Sequence, residues 1–391
     1  MWTNPMISVA VFLFLYGTGK VVSKKTKGVL VEAFFLAVMY ILGYLLNIIP
    51  KESLGDTGIP VLMGTWGTML LVTNLGTMIE LKRFFKEWKT VVVCLGAMVV
   101  MAVFFVTLGQ VVFGKEYALS ALPPVAGGLV ANGLVVQAAE AGGKPNFGTF
   151  ASMLCSTQSL VATPICAYFL HKYVAGVYKD KSYLHPPVEN GNFPNLHFFP
   201  KWPSDWNIGP LMAARLMLVC VLGVFVSKLS GGKLPSAVMV LVFGILGTEF
   251  GFLEKNTLTK AGYMDFLIMG LVLSLPYSFR NLTLSALGSM IVPVLFFLLL
   301  GVIGLTLGGV LMGKVLKVDW HLAAAVSLSA MFGYPMTEII SRAVVSSYNL
   351  DKEEEEKLLE AVMPQMIIAG FTTVTIASVV LAGIVAPLIF A

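Results

Sequence analysis

Charge is scarce along this chain: only 12% of its 391 residues are Asp, Glu, Lys or Arg. That is about half the share found in a soluble domain, too little to clothe a globule in water. Cysteine is scarcer still. Cys94, Cys155, Cys166 and Cys220 each lie inside an apolar stretch with no CxxC or Cys/His ligand spacing nearby, which predicts buried thiols and neither a disulfide framework nor a metal site. No HExxH, GxSxG or phosphate-cradling loop occurs, so nothing points to an enzyme or a resident cofactor. There is no basic cluster ahead of the first apolar stretch; Lys20, Lys24, Lys25 and Lys27 follow it instead. This order predicts a retained first helix with its N-terminus outside, not a cleaved secretory signal. Nor is there an Arg/Lys face with interleaved aromatics. The net charge of +5 is then a positive-inside bias, and nucleic acid is not an expected partner.

What the chain has is apolar length. Hydrophobic residues make up 57% of it, with a mean hydropathy of +0.85. Stretches of the roughly 20 residues needed to cross about 30 Å of hydrocarbon follow one another throughout. Twelve such segments begin near Pro5, Gly28, Ile59, Val91, Tyr117, Phe147, Ile208, Leu234, Ala261, Ser285, His321 and Ala361. The first six starts match the second six at offsets of 203, 206, 202, 194, 204 and 214. The expected fold is an all-α polytopic membrane protein built as two repeats, residues 1–170 and 207–391, joined by a polar connector over 171–206. Phe198, Phe199, Trp202 and Trp206 in the connector suit the headgroup level of a membrane. His171, His185 and His197 match no standard metal-ligand spacing.

The fifth and eleventh segments are interrupted. ALSALPPVAGGLVANG carries Pro123, Pro124, Gly127, Gly128, Asn132 and Gly133, and LSAMFGYPMTEIISR carries Gly333 and Pro335. Non-helical backbone inside a membrane survives only where protein or a water-filled cavity satisfies it, and interruptions at matching places in two halves point to a transporter's binding site. If both segments are re-entrant, each half has about five crossings and the halves are inverted; if both span, the halves are parallel. The N-terminal loops favour an outside N-terminus, but the charges of the second half do not choose between the two arrangements.

The layout resembles the bacterial sodium/glutamate symporter family, within a larger group of elevator-type carriers. The likeness rests on MLLVTNLGTMIELKRF in the third segment, on LPPVAGGLVANG, and on LSAMFGYPMTEI followed by a helix with MPQM. It implies two inverted repeats, a cytoplasmic connector, and a sodium-coupled symporter in the bacterial inner membrane, with a homodimeric assembly. The Gly-Gly-His-Gly type run of that family is absent, since Leu129 follows Gly127-Gly128. The expected cargo is therefore a small organic anion, glutamate or a related carboxylate.

Helix N-termini at two breaks would face an anion and unwound carbonyls a cation. Candidate substrate residues are Asn132, Gln158, Tyr334, Thr337, Arg342 and Gln365; candidate sodium ligands are Asn74, Thr157, Ser274 and Thr372. Each has an alternative use as an interhelical hydrogen bond. Glu338 and Arg342, four apart, share a helix face and can pair. Arg342 would bind a carboxylate or snorkel to the surface. With Glu338 as proton carrier the chain would instead be a proton-coupled carrier or exchanger; a passive channel is the alternative of another class.

Overall fold

The computed structural model describes residues 4–26, 32–78, 87–181, 198–200, 202–230, 234–333, 336–348 and 350–389. His185, His197, Tyr334, Pro335 and most of the polar connector lie outside them. The described residues form helices and turns, with no strand among them. Eight helices are long and apolar enough to cross a membrane, by length and composition, and the chain is an all-α membrane protein.

In the first half the helices are α1 (Pro5–Lys25), α2 (Glu32–Leu45), α3 (Ile59–Met78), α4 (Trp88–Phe113), α5 (Lys115–Ala141) and α6 (Pro145–Asp180). In the second they are α7 (Gly209–Leu229), α8 (Ser236–Glu249), α9 (Met264–Ser278), α10 (Leu284–Leu316), α11 (Trp320–Met331), α12 (Met336–Ser346) and α13 (Lys352–Leu388). α2, α8 and α9, of 14, 14 and 15 residues, are shorter than the apolar stretches suggest. α13 begins nine residues earlier than its apolar run. Asp351 caps it by accepting from the Glu354 N–H at 2.8 Å, and Glu353, Glu354 and Glu355 stand in the first turn, where the partial positive charge of the helix end stabilises them. Asp319 caps α11 in the same way, through the N–H groups of His321 and Leu322.

Small residues set the closest packing, as expected where lipid offers apolar contacts equal to those of another helix. Cβ atoms added to Gly304 and Gly308 of α10 would lie 2.8 and 2.6 Å from the α carbons of Met101 and Ala97 on α4. The four cysteines are free and buried. Two of them hold α11 from different helices: the Cys94 thiol of α4 donates to the Val326 carbonyl, and the Cys166 thiol of α6 to the Ala325 carbonyl. At the end of the connector, the N–H groups of Phe198 and Phe199 donate to the Phe250 carbonyl, and Trp202 Nε1 donates to Phe252. Arg215, near the start of α7, stacks on the Trp202 ring and donates to the Trp206 carbonyl and to Asn207 Oδ1. Phe198 and Trp206 remain mostly exposed.

Candidate functional site

α5 does not cross. Helical geometry breaks at Gly127 (φ −179°, ψ 33°) and Gly128 (φ 71°, ψ −155°), just after two prolines that withhold their N–H groups. Glu116, at the start of α5, forms an ion pair with Lys144, just past its end. Tyr117 packs edge-on against Phe147 and Phe150. Residues 28 apart on one straight helix would be about 42 Å apart, so the segment folds back on itself as a hairpin. α5 satisfies length and composition for a span, yet both its ends lie at one end of α6.

α11 and α12 make a second hairpin. Trp320, opening α11, packs on Phe169 with ring centroids 6.1 Å apart. Tyr348, just past α12, stacks on His171 at 5.3 Å and donates to its carbonyl. Phe169 and His171 are near neighbours on α6, whereas Phe147 is 24 residues, roughly 36 Å, away along that helix. The two hairpins therefore enter from opposite ends of α6.

Their tips approach each other on α13. A Cβ on Gly128 would lie 3.5 Å from Val374 Cγ1, and one on Gly333 (φ 64°) would lie 2.6 Å from Val374 Cγ2. Val374 thus sits between the two left-handed glycines, in a π-helical stretch, Thr372–Ala377, where the ordinary i to i−4 ladder is interrupted. Gly127 lies so close to the same helix that a Cβ there would fall 1.7 Å from that of Ser378.

Polar side chains around the breaks are buried with spare hydrogen-bonding capacity. Asn132 and Thr337 each stand four residues after the left-handed glycine of their hairpin, and Asn132 Oδ1 and Thr337 Oγ1 have no partner; the Asn132 amide donates to Ser152 Oγ at 3.1 Å. Gln158 Oε1, Thr372 Oγ1 and the hydroxyls of Ser159 and Thr163 are also buried and unpartnered. An unsatisfied buried hydroxyl or amide costs on the order of 1–3 kcal/mol, so each of these oxygens has capacity for a water or a ligand.

Beside the second hairpin lies a cavity of about 1430 Å³, bounded by α6, α12, the end of α1 and the start of α2. Its lining includes the buried Ser159, Thr163 and Met336 and the exposed or half-buried Lys20, Glu32, His171, Lys172 and Glu355. Ile339, Arg342, Ala343 and Ser346 form the face of α12 that it exposes, while Thr337, Ser341 and Val345 of the opposite face are buried. No protein-family model matches this chain, and no curated protein is significantly similar to it.

The remaining candidates are dispersed. Arg342 lines the cavity nine residues past Gly333, roughly 13 Å along the chain of α12. Its side chain is 57% exposed, and its Nε donates to Glu338 Oε1 at 2.9 Å. The two therefore pair as their spacing suggests. Asn74 Oδ1 accepts from the Leu258 N–H at 2.9 Å, starting the short helix Thr257–Ala261. The Ser274 and Thr157 hydroxyls donate to the carbonyls of Gly270 and Met153, and the Gln365 amide to those of Ala361 and Val362. All four use their side chains structurally in this conformation. Among the described residues no three His, Cys, Asp or Glu side chains come together as a metal site. Sequence reasoning missed Ser159, Thr163 and Val374.

Proposed function

We propose that this chain is a secondary active transporter that carries a small organic anion between its two hairpin tips, coupled to sodium. The observation that supports it most is the convergence on Val374 of two hairpins entering from opposite ends of α6, next to a cavity open on one side. A continuous channel would need a polar pore through both ends. The large cavity lies at the second hairpin's end of α6, with a smaller one of about 410 Å³ beside Lys115, Glu116 and Phe147 at the other end, and the converging hairpin tips lie between those ends.

Two inverted repeats account for the arrangement. Helix starts in the two halves pair as 5 with 209, 32 with 236, 59 with 264, 88 with 284, 115 with 320 and 145 with 352. The differences are 204, 204, 205, 196, 205 and 207. Gly128 and Gly333 both stand 13 residues after their hairpin's start (128 − 115 and 333 − 320), and Asn132 and Thr337 both stand 17 after it. With one hairpin and five crossings in each half, the halves have opposite orientation. Lys20, Lys25, Lys172, Lys179, Lys314 and Lys317 belong to the face where the cavity opens, which makes that face cytoplasmic by the positive-inside rule.

Asn132, Gln158, Thr337 and Thr372 supply neutral oxygens near the tips, the donor set a hard cation such as sodium prefers. Arg342, solvent-screened and already paired, serves the cavity wall. Uptake into proteoliposomes from a panel of carboxylates, with and without a sodium gradient, tests the reading. Accumulation driven only by a proton gradient and abolished by Glu338→Gln would replace sodium by protons; equilibration without accumulation under any gradient would make the chain a passive facilitator.

A further inference from the structure

Among the described residues Arg215 is the one charged residue that is buried, at 7% exposure. It stands on the same face of α7 as Leu211, Leu218, Leu222, Phe225 and Leu229, since steps of four and three residues return to one side of a helix. Those five are between 37% and 70% exposed. What covers Arg215 is the end of the connector: its guanidinium lies over the Trp202 ring, 4.6 Å from the centroid. A charge on an otherwise apolar, exposed face is thus shielded by an indole.

The hydrogen-bond partners of this guanidinium are all neutral. Nε donates to the Leu211 carbonyl, and Nη2 to the Trp206 carbonyl and, at 2.9 Å, to Asn207 Oδ1. Nη1 is buried and has no partner. Glu254, whose charge reaches Arg215, is paired with Lys260 at 3.0 Å, and Asp205 takes the Ser204 hydroxyl at 3.2 Å. A guanidinium held out of water with no carboxylate of its own calls for an anion. Its level says which kind. α7 is a span of 21 residues, about 31 Å long, which matches the roughly 30 Å of hydrocarbon in a bilayer. Arg215 stands inside that span but reaches back to Trp206 and Asn207, just ahead of its first residue, Gly209. Its head therefore lies at the edge of the hydrocarbon, where phospholipids carry their phosphates. Trp206, 53% exposed, stacks on Trp202 with centroids 6.0 Å apart, so the cover over the guanidinium is thin and made of the rings that favour this depth.

We infer that Arg215 binds the phosphate of an anionic phospholipid, with Nη1 as the open donor, the Trp202 and Trp206 rings beside the headgroup and an acyl chain along Leu211, Leu218 and Leu222. The phosphodiester supplies the single negative charge that two carbonyls, an amide and a ring face do not. A choline headgroup carries the same phosphate but cancels it with its own cation, so the site discriminates by net charge. It lies outside both hairpins and stands independently of the transport reading.

The test is native mass spectrometry of the full-length protein in detergent, reading the first lipid bound when phosphatidylglycerol and phosphatidylcholine of identical chains compete. Phosphatidylglycerol should bind about tenfold more tightly, the ratio expected of one hydrogen-bonded charge pair. Arg215→Gln should bring the two lipids level and leave phosphatidylcholine binding nearly unchanged. Arg215→Lys keeps the charge without the planar fork and should keep part of the preference. Should the glutamine variant fail to fold, Asn207→Asp asks the same question. Its carboxylate would stand where Asn207 Oδ1 now meets Nη2 at 2.9 Å and supply the missing charge from within, so that variant should unfold at a higher temperature in detergent and lose the preference for phosphatidylglycerol. Equal binding of the two lipids by the wild-type protein, or a preference that survives both Arg215→Gln and Asn207→Asp, would overturn the inference. So would displacement of phosphatidylglycerol by millimolar inorganic phosphate, which would make Arg215 a site for the free anion and not for the lipid.

Discussion

Replacing Gly333 by alanine perturbs the second hairpin tip in two separable ways. At φ 64° an L side chain costs about 1–2 kcal/mol in backbone strain. Its Cβ would also come 2.6 Å from Val374 Cγ2, an overpacking worth about 1–3 kcal/mol. Gly333→Ala should therefore destabilise the folded protein by about 2–5 kcal/mol. Adding Val374→Ala removes both methyls that the new side chain meets but keeps the Cβ at 3.1 Å, so the double variant should recover part of the overpacking, about 1–2 kcal/mol relative to additivity. Gly128→Ala is the control. With φ 71° and ψ −155° it occupies a region almost closed to other residues, costing about 1–3 kcal/mol. The nearest Val374 atom would be 3.5 Å away, an ordinary contact, so Val374→Ala should bring no recovery there. Denaturant unfolding of the detergent-solubilised protein, followed by circular dichroism, gives both cycles. Additivity within about 0.5 kcal/mol for the Gly333 pair, or equal coupling for both glycines, would refute the placement of Val374 between the tips.

Cysteines at Gly143 and Ser347 should react with an impermeant maleimide from opposite sides of the membrane, Ser347 from the cytoplasmic side; labelling from one side would sink the inverted arrangement. A cysteine pair replacing Glu116 and Lys144 should cross-link within one chain on mild oxidation, read as resistance of the fragments to separation after proteolysis within α5; a straight α5 would yield none. Arg342→Ala should raise the half-saturating substrate concentration by no more than about fivefold, since an exposed, screened pair contributes about 1 kcal/mol or less; a hundredfold loss would place Arg342 on the substrate. Thr372→Val should raise the sodium concentration needed for half-maximal uptake while Glu338→Gln leaves it unchanged, and the reverse pattern would identify the acid as the coupling group.

The breaks were legible because Pro123, Pro124, Gly127, Gly128 and Gly333 contradict a lipid-spanning helix wherever they stand. The return of the chain was not, because apolar periodicity has no direction: α5 reads as a span of 27 residues, and the turn shows in the pairing of Glu116 with Lys144 and the packing of Tyr117 on Phe147 and Phe150. Asn132 and Thr337 were found through their nearness to the breaks, and both keep an open oxygen. Asn74 looked equally polar and equally intramembrane, but the backbone N–H it serves lies 184 residues away, a distance no local pattern encodes. Ser159 and Thr163 went unnoticed for the opposite reason. Serine and threonine in membrane helices commonly bond their own backbone, and nothing in the sequence says which of them do not.

The thiols that brace α11 have a practical side. Cys94 and Cys166 reach consecutive carbonyls of that helix from two neighbours, and all four native cysteines are buried, these two completely. In the resting protein they should stay silent towards maleimide, since only an accessible thiolate reacts, so engineered cysteines can be read against the unaltered chain. A movement that lifts α11 from its seat would expose both thiols together. The rate at which the wild-type protein loses its silence thus becomes a clock for the second hairpin, and its change on adding sodium or a carboxylate would time the motion without any label built in.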